Sequence, residues 1–77
     1  MTDLISYSYD SVKDSLPDLS GVRKLLGQPV AEIRYNGQAG TDGEDLYVRV
    51  YAKYENGVTV HVWYLIEDLP FLVRDGK

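Results

Sequence analysis

Two alternating segments separated by three residues dominate this sequence and leave few folds open to it. Residues 46–54 read Leu-Tyr-Val-Arg-Val-Tyr-Ala-Lys-Tyr, residues 58–66 read Val-Thr-Val-His-Val-Trp-Tyr-Leu-Ile, and Glu55, Asn56 and Gly57 stand between them. Both runs are rich in β-branched and aromatic residues and repeat every second position, which is the signature of paired strands. Parity decides the length of the loop. A two-residue Asn-Gly turn would set Tyr54 against Thr59, Ala52 against His61 and Lys53 against Val60, mixing polar and apolar partners on each face. A three-residue loop pairs Tyr54 with Val58, Ala52 with Val60, Val50 with Val62, Val48 with Tyr64 and Leu46 with Ile66. Every one of these pairs is apolar or aromatic, so this register buries one clean face. The loop then suits a type I turn over Glu55–Asn56 with Gly57 in the left-handed region, which glycine enters without steric penalty.

Side chains alternate across a strand, so the same register collects Tyr47, Arg49, Tyr51 and Lys53 beside Thr59, His61, Trp63 and Leu65 on the opposite face. Three large rings with polar handles stand there among three groups able to carry positive charge. Two arrangements follow. Either this face is exposed and centred on Trp63, or the N-terminal or C-terminal segment lies over it and the rings form a second core.

Upstream, Val30 to Asn36 alternates with Ala31, Ile33 and Tyr35 on one side and predicts a strand over 30–36. Residues 36–45 contain three glycines and no large apolar side chain, and predict a flexible loop protruding into solvent. Leu19, Val22, Leu25 and Leu26 fall on one helical stripe, with Asp18 or Ser20 placed to cap it and Gly27 and Pro29 to stop it. Gly21 weakens that helix by about 1 kcal/mol relative to alanine. Ile5, Tyr9, Val12 and Leu16 also lie at helical spacing, and Pro17 breaks or kinks the path between the two stretches. The helical region therefore spans about 9–26. The first ten residues fit a strand as well, because Ile5, Tyr7 and Tyr9 alternate. Beyond Glu67 and Asp68, Phe71 and Val73 are placed to fold back onto the sheet, while Pro70 argues against a central strand. The whole reads as one α+β domain over 1–77: an N-terminal helical segment packed on an antiparallel meander of three or four strands.

Composition narrows the chemistry. Seventy-seven residues allow one domain, and 12 acidic against eight basic side chains give a net charge of −4. No apolar run approaches the eighteen or so residues of a spanning helix, and the start lacks the basic-then-apolar pattern of a secretory signal. The expectation is a protein of the cytoplasm, its own or a host cell's, with no membrane partner. The absence of cysteine removes disulfides, thiolate nucleophiles, zinc–sulfur sites and iron–sulfur clusters. One histidine, His61, cannot form a two-histidine metal site, and no serine sits in a nucleophile-elbow pattern. The reading is non-enzymatic, without cofactor or metal.

Tyrosine, tryptophan and arginine are the residue types that most often carry binding energy at protein interfaces. Tyr47, Arg49, Tyr51, His61 and Trp63 are accordingly the first candidate contact surface. The acidic set Asp42, Glu44 and Asp45, with Glu67 and Asp68 further along, is the second. Asp42–Asp45 lacks the ligand alternation and distal glutamate of a calcium loop, so its acids read as solvated charges or as contacts for a basic partner. Gly37, Gly40 and Gly43 do not make a phosphate cradle, since the segment carries acids, lacks lysine and leads into a strand.

The function expected is a protein-binding module: a small accessory or inhibitory protein of the type carried by phages and mobile elements, or an immunity-type protein, which acts by occupying a partner's surface. Two alternatives use the same features. One is a single-stranded nucleic-acid or small-ligand binder that stacks on the aromatic face, opposed by the net negative charge. The other is a structural homodimer formed through an edge strand or through the aromatic face.

Overall fold

The computed structural model of the protein describes residues 4–76 of the chain. In chain order these form β1 (Ile5–Tyr7), two single 3-10 turns (Tyr9–Ser11 and Lys13–Ser15), β2 (Lys24–Leu25), β3 (Gln28–Asp42), β4 (Asp45–Tyr54), β5 (Thr59–Leu65), a third 3-10 turn (Ile66–Asp68) and one helix, α1 (Leu69–Asp75). The strands build an antiparallel sheet in the order β1-β3-β4-β5, and the two-residue β2 pairs with the start of β3. The architecture is α+β, with its helix at the C-terminus.

The β4–β5 hairpin has the three-residue loop that parity requires. The Tyr54 N–H donates to the Val58 carbonyl at 2.8 Å, and the Gly57 N–H closes the turn onto the Tyr54 carbonyl at 2.9 Å. Gly57 takes a φ of 90°, and the Asn56 side chain accepts from the Val58 N–H. Ala52 stands opposite Val60, Val50 opposite Val62 and Val48 opposite Tyr64.

Three expectations need correction. The first is the loop over 36–45. β3 continues through it to Asp42 and ends in a tight turn at Gly43–Glu44, with Asp42 opposite Asp45. An irregularity between Tyr35 and Ala39, where Gly37 takes a φ of 76°, absorbs extra residues before pairing resumes. Beyond it, Ala39, Gly40 and Thr41 pair with β4 on one side and β1 on the other. Pairing on both edges outweighs the poor strand propensity of glycine. Gly40 also serves close approach, since a Cβ there would lie 2.9 Å from the Cβ of Leu4. At the start of the strand another irregularity between Val30 and Glu32 leaves Ala31 exposed, so Val30 rather than Ala31 shares the inner face with Ile33 and Tyr35.

The second correction is the helix over 9–26, which does not form. Leu16 is extended, as the residue before a proline prefers, and the serines and aspartates around the 3-10 turns offer the backbone local alternatives to a helix. Asp18 illustrates this: its carboxylate accepts from the Ser20 N–H at 3.0 Å and the Ser20 hydroxyl at 2.8 Å. Those bonds, the backbone one foremost, hold its pKa below the usual carboxylate value. Leu26 and Gly27, with φ of 53° and 79°, make the left-handed pair that turns β2 into β3. Leu19, Val22 and Leu25 are buried all the same, from turns and a short strand.

The third concerns residues 69–75, which turn helical rather than extended. Pro70 sits in the first turn, where its missing N–H is no loss. Leu69 is fully buried, Leu72 and Val73 pack inward at helical spacing, and Phe71 points outward. Gly76 ties the helix down: its carbonyl accepts from the Arg23 N–H at 2.6 Å and the Lys24 N–H at 2.8 Å.

The core lies on one side of the sheet. Val12, Leu19, Val22 and Leu69 pack on Ala39, Val48 and Val50, while Leu25 and Val30 pack with Ala52 and Tyr54. The Tyr35 hydroxyl reaches the Pro17 carbonyl at 2.5 Å, and burial pushes its pKa up to about 12. The N-terminal segment and α1 therefore cover the same face, the one carrying the valines. No helix among the described residues is long and apolar enough to cross a membrane.

Candidate functional site

The face opposite the core is assembled by register. Directly opposed residues of antiparallel strands share a side of the sheet, so each row across β3, β4 and β5 places its side chains together. One row runs Arg34–Tyr51–His61, and the next holds Arg49–Trp63 opposite the irregular stretch of β3. Glu32–Lys53–Thr59 flanks them on one side and Gly40–Tyr47–Leu65 on the other. Tyr47, Arg49, Tyr51, His61 and Trp63 thus occupy one continuous surface. His61 is exposed, Trp63 retains 38% of its accessibility, and Tyr47, Arg49 and Tyr51 are half-buried.

These side chains are stacked. The Arg34 guanidinium lies 4.7 Å from the centre of the Tyr51 ring, and the Tyr51 and His61 rings are 5.3 Å apart at a 55° tilt. The Arg49 guanidinium lies 5.5 Å from the centre of the Trp63 ring. A cation over an aromatic face contributes about 0.5–1 kcal/mol at an exposed site and more once water is excluded. The Arg49 Nε is sealed from solvent and has no hydrogen-bond partner among the described residues. Glu32 approaches Arg34 at 3.6 Å, in an exposed pair that adds little stability.

Beside Trp63 lies a shallow hollow of about 260 Å³, lined by Leu4, Ser6, Tyr7 and the Gly37–Gly40 stretch. Leu4 can stand against its wall because Gly40 has no side chain. Sequence reasoning missed both Arg34 and this hollow. Arg34 was visible in principle, standing at the parity opposite Ile33 and Tyr35. The hollow was not, because β1 reaches it from the far end of the chain.

The acidic candidates fall elsewhere. Asp42 and Asp45 close the β3–β4 turn and Glu44 lies within it. Glu44, Asp45 and Glu67 line one hollow of about 240 Å³ at that end of the sheet, whereas Asp68 faces a different one, beside α1. Among the described residues no three His, Asp or Glu side chains are grouped to hold a metal ion. By register, Arg34, Arg49 and Lys53 share the Trp63 face with Glu32, Asp42 and Asp45. This side of the sheet is thus close to neutral, with the carboxylates at its two ends. No protein-family model matches the chain, and comparison with curated proteins and with solved structures finds no match.

Proposed function

We propose that this protein is a non-enzymatic binding module that occupies the surface of a protein partner through the Trp63 face of its sheet. The observation that carries the reading is the one-sidedness of the core. Among the described residues, the segment from Val12 to Leu25 and α1 lie on the valine face, and the rows Arg34–Tyr51–His61 and Arg49–Trp63 keep contact with solvent. Solvent-facing aromatic and arginine side chains are the usual carriers of interface energy, and ordering them in advance reduces the entropy lost on association. The hollow beside Trp63 is of a size to receive one apolar side chain of the partner. A domain with area for one interface suits a small accessory or inhibitory role, of the phage-antagonist or immunity type, and the cytoplasm is the location we propose for it.

The test is affinity capture from host lysate with three baits: the wild type, Trp63→Ala, and Asp42→Asn/Glu44→Gln/Asp45→Asn combined. One dominant protein held by the wild type and the acid-neutralised bait, but released by Trp63→Ala, supports the reading. Retention by Trp63→Ala with loss from the acid-neutralised bait would move the interface to the β3–β4 turn. A titration with single-stranded oligonucleotide completes it: binding at low salt that falls steeply as salt is added would place the protein among nucleic-acid binders instead.

A further inference from the structure

The outer edge of β5 is an open, regular strand edge seven residues long, and nothing among the described residues blunts it. Natural edges are protected by charge, proline, bulges or a covering element. The open stretch of β3 has such devices in Glu32, Arg34 and the irregularities on either side of them, and β1 is only three residues long. β5 reads Thr-Val-His-Val-Trp-Tyr-Leu, seven residues without proline, lysine or carboxylate. Among the described residues, no backbone hydrogen bond reaches Thr59–Leu65 from anywhere but β4.

Parity identifies the free groups. In an antiparallel pair every second residue exchanges both its bonds with the residue opposite. The Tyr54–Val58 bond sets the phase, so Val60, Val62 and Tyr64 bond to β4 while Thr59, His61, Trp63 and Leu65 turn their N–H and C=O groups outward.

We propose that this edge pairs with β5 of a second copy, antiparallel, about a two-fold axis through Val62. That centre is selected by the strand itself. It sets His61 against Trp63 and Thr59 against Leu65 of the second copy, and the reverse, so all four outward residues are satisfied. An axis at His61 would leave Leu65 unpaired and oppose two histidines, and an axis at Trp63 would leave Thr59 unpaired. Side chains match as well. Val62 meets its own copy and Val60 meets Tyr64 on the helix side, where all three are only half-buried in the single chain. On the other side His61 stands beside the indole of the second copy. Because the axis is normal to the sheet, both Trp63 faces lie on the same side of a continuous eight-stranded sheet. A partner would then meet a doubled surface.

The experiment uses cysteines placed in this cysteine-free chain, together with sedimentation equilibrium. Opposed residues of a pair that exchanges no bonds have Cα atoms about 4.5 Å apart, within disulfide reach. Under a glutathione redox buffer, Val62→Cys is expected to form a covalent dimer at least tenfold faster than Val60→Cys. His61→Pro removes an outward N–H without touching the β4 ladder, and should give a monomer with an unchanged circular dichroism spectrum, while His61→Ala still dimerises. A wild-type monomer at every concentration, or equal cross-linking at 60 and 62, would overturn the proposal and leave the edge to a foreign strand.

Discussion

Arg49 and Trp63 stand opposite one another on neighbouring strands, with the guanidinium 5.5 Å from the centre of the indole ring, on the face opposite the one where Val12, Leu19, Val22 and Leu69 pack. Their pairing is a consequence of loop length. A hairpin one residue shorter would have sent Trp63 into the core and brought Val62 out. The contact surface and the core are therefore set by a single turn.

Trp63→Ala and Leu69→Ala should separate surface from core. Trp63 is partly exposed and its stacking contributes on the order of 1 kcal/mol, so its removal should shift the urea midpoint only modestly. Leu69 is fully buried on the inner side of α1, and truncation there should cost about 2–5 kcal/mol. Equilibrium denaturation of both variants checks the order.

Gly76→Ala should loosen α1. A Cβ at this position would lie 2.7 Å from the Leu72 carbonyl oxygen, 2.8 Å from that of Lys24 and 2.8 Å from a Val22 methyl. Two of these are backbone atoms with little freedom to give way. We expect a loss of about 2 kcal/mol, in the range of overpacked sites, and faster amide exchange at Arg23 and Lys24, whose N–H groups bond to the Gly76 carbonyl.

Leu26→Asn should stabilise the protein. Leu26 holds a φ of 53° and is 70% exposed, so it bears left-handed strain without the return of burial. Asparagine tolerates that conformation, and the gain should be about 1 kcal/mol in denaturation. The exposed Leu26 and Phe71 share a hollow of about 340 Å³ with Tyr64 and Leu72.

Alkaline pH should destabilise the fold through Tyr35. Its hydroxyl ionises near the ordinary value of 10.0 in the unfolded chain and at about 12 in the folded one, chiefly because burial disfavours the phenolate. The unfolded chain thus loses its proton first. The contribution is complete below about pH 10 and is lost as pH rises towards 12. Tyr64, raised by burial in the same way, adds to the trend. Urea midpoints between about pH 8 and pH 11.5 should fall, and Tyr35→Phe should flatten the slope while costing about 1 kcal/mol at neutral pH through the lost bond to Pro17.

How much of this was readable in the sequence depended on distance along the chain. The β4–β5 hairpin is local, and parity resolved its register to individual pairs. The C-terminal helix left marks in the sequence, Pro70 after Glu67 and Asp68 and the helical spacing of Leu69, Leu72 and Val73, but the strand-like spacing of Phe71 and Val73 points the other way. Leu19, Val22 and Leu25 kept a helical spacing that side chains descending from turns can also produce, while Pro17, Gly21 and the neighbouring serines and aspartates pointed away from a helix. The extension of β3 through Gly37 and Gly40 was hidden, because Gly37 sits in an irregularity that no alternation announces and one of Gly40's two strand partners, Ser6 of β1, is remote in sequence. Which face of the sheet is covered was hidden for the same reason.

The chain contains one tryptophan, so its emission reports on the central claim without interference. With excitation confined to the indole, the wild-type monomer is expected to emit towards the red and to be quenched by acrylamide, with a quenching constant below that of free indole, as 38% accessibility dictates, and well above that of a buried ring. Blue-shifted emission resistant to quencher, moving to the red only on unfolding, would place Trp63 inside the protein and contradict the account.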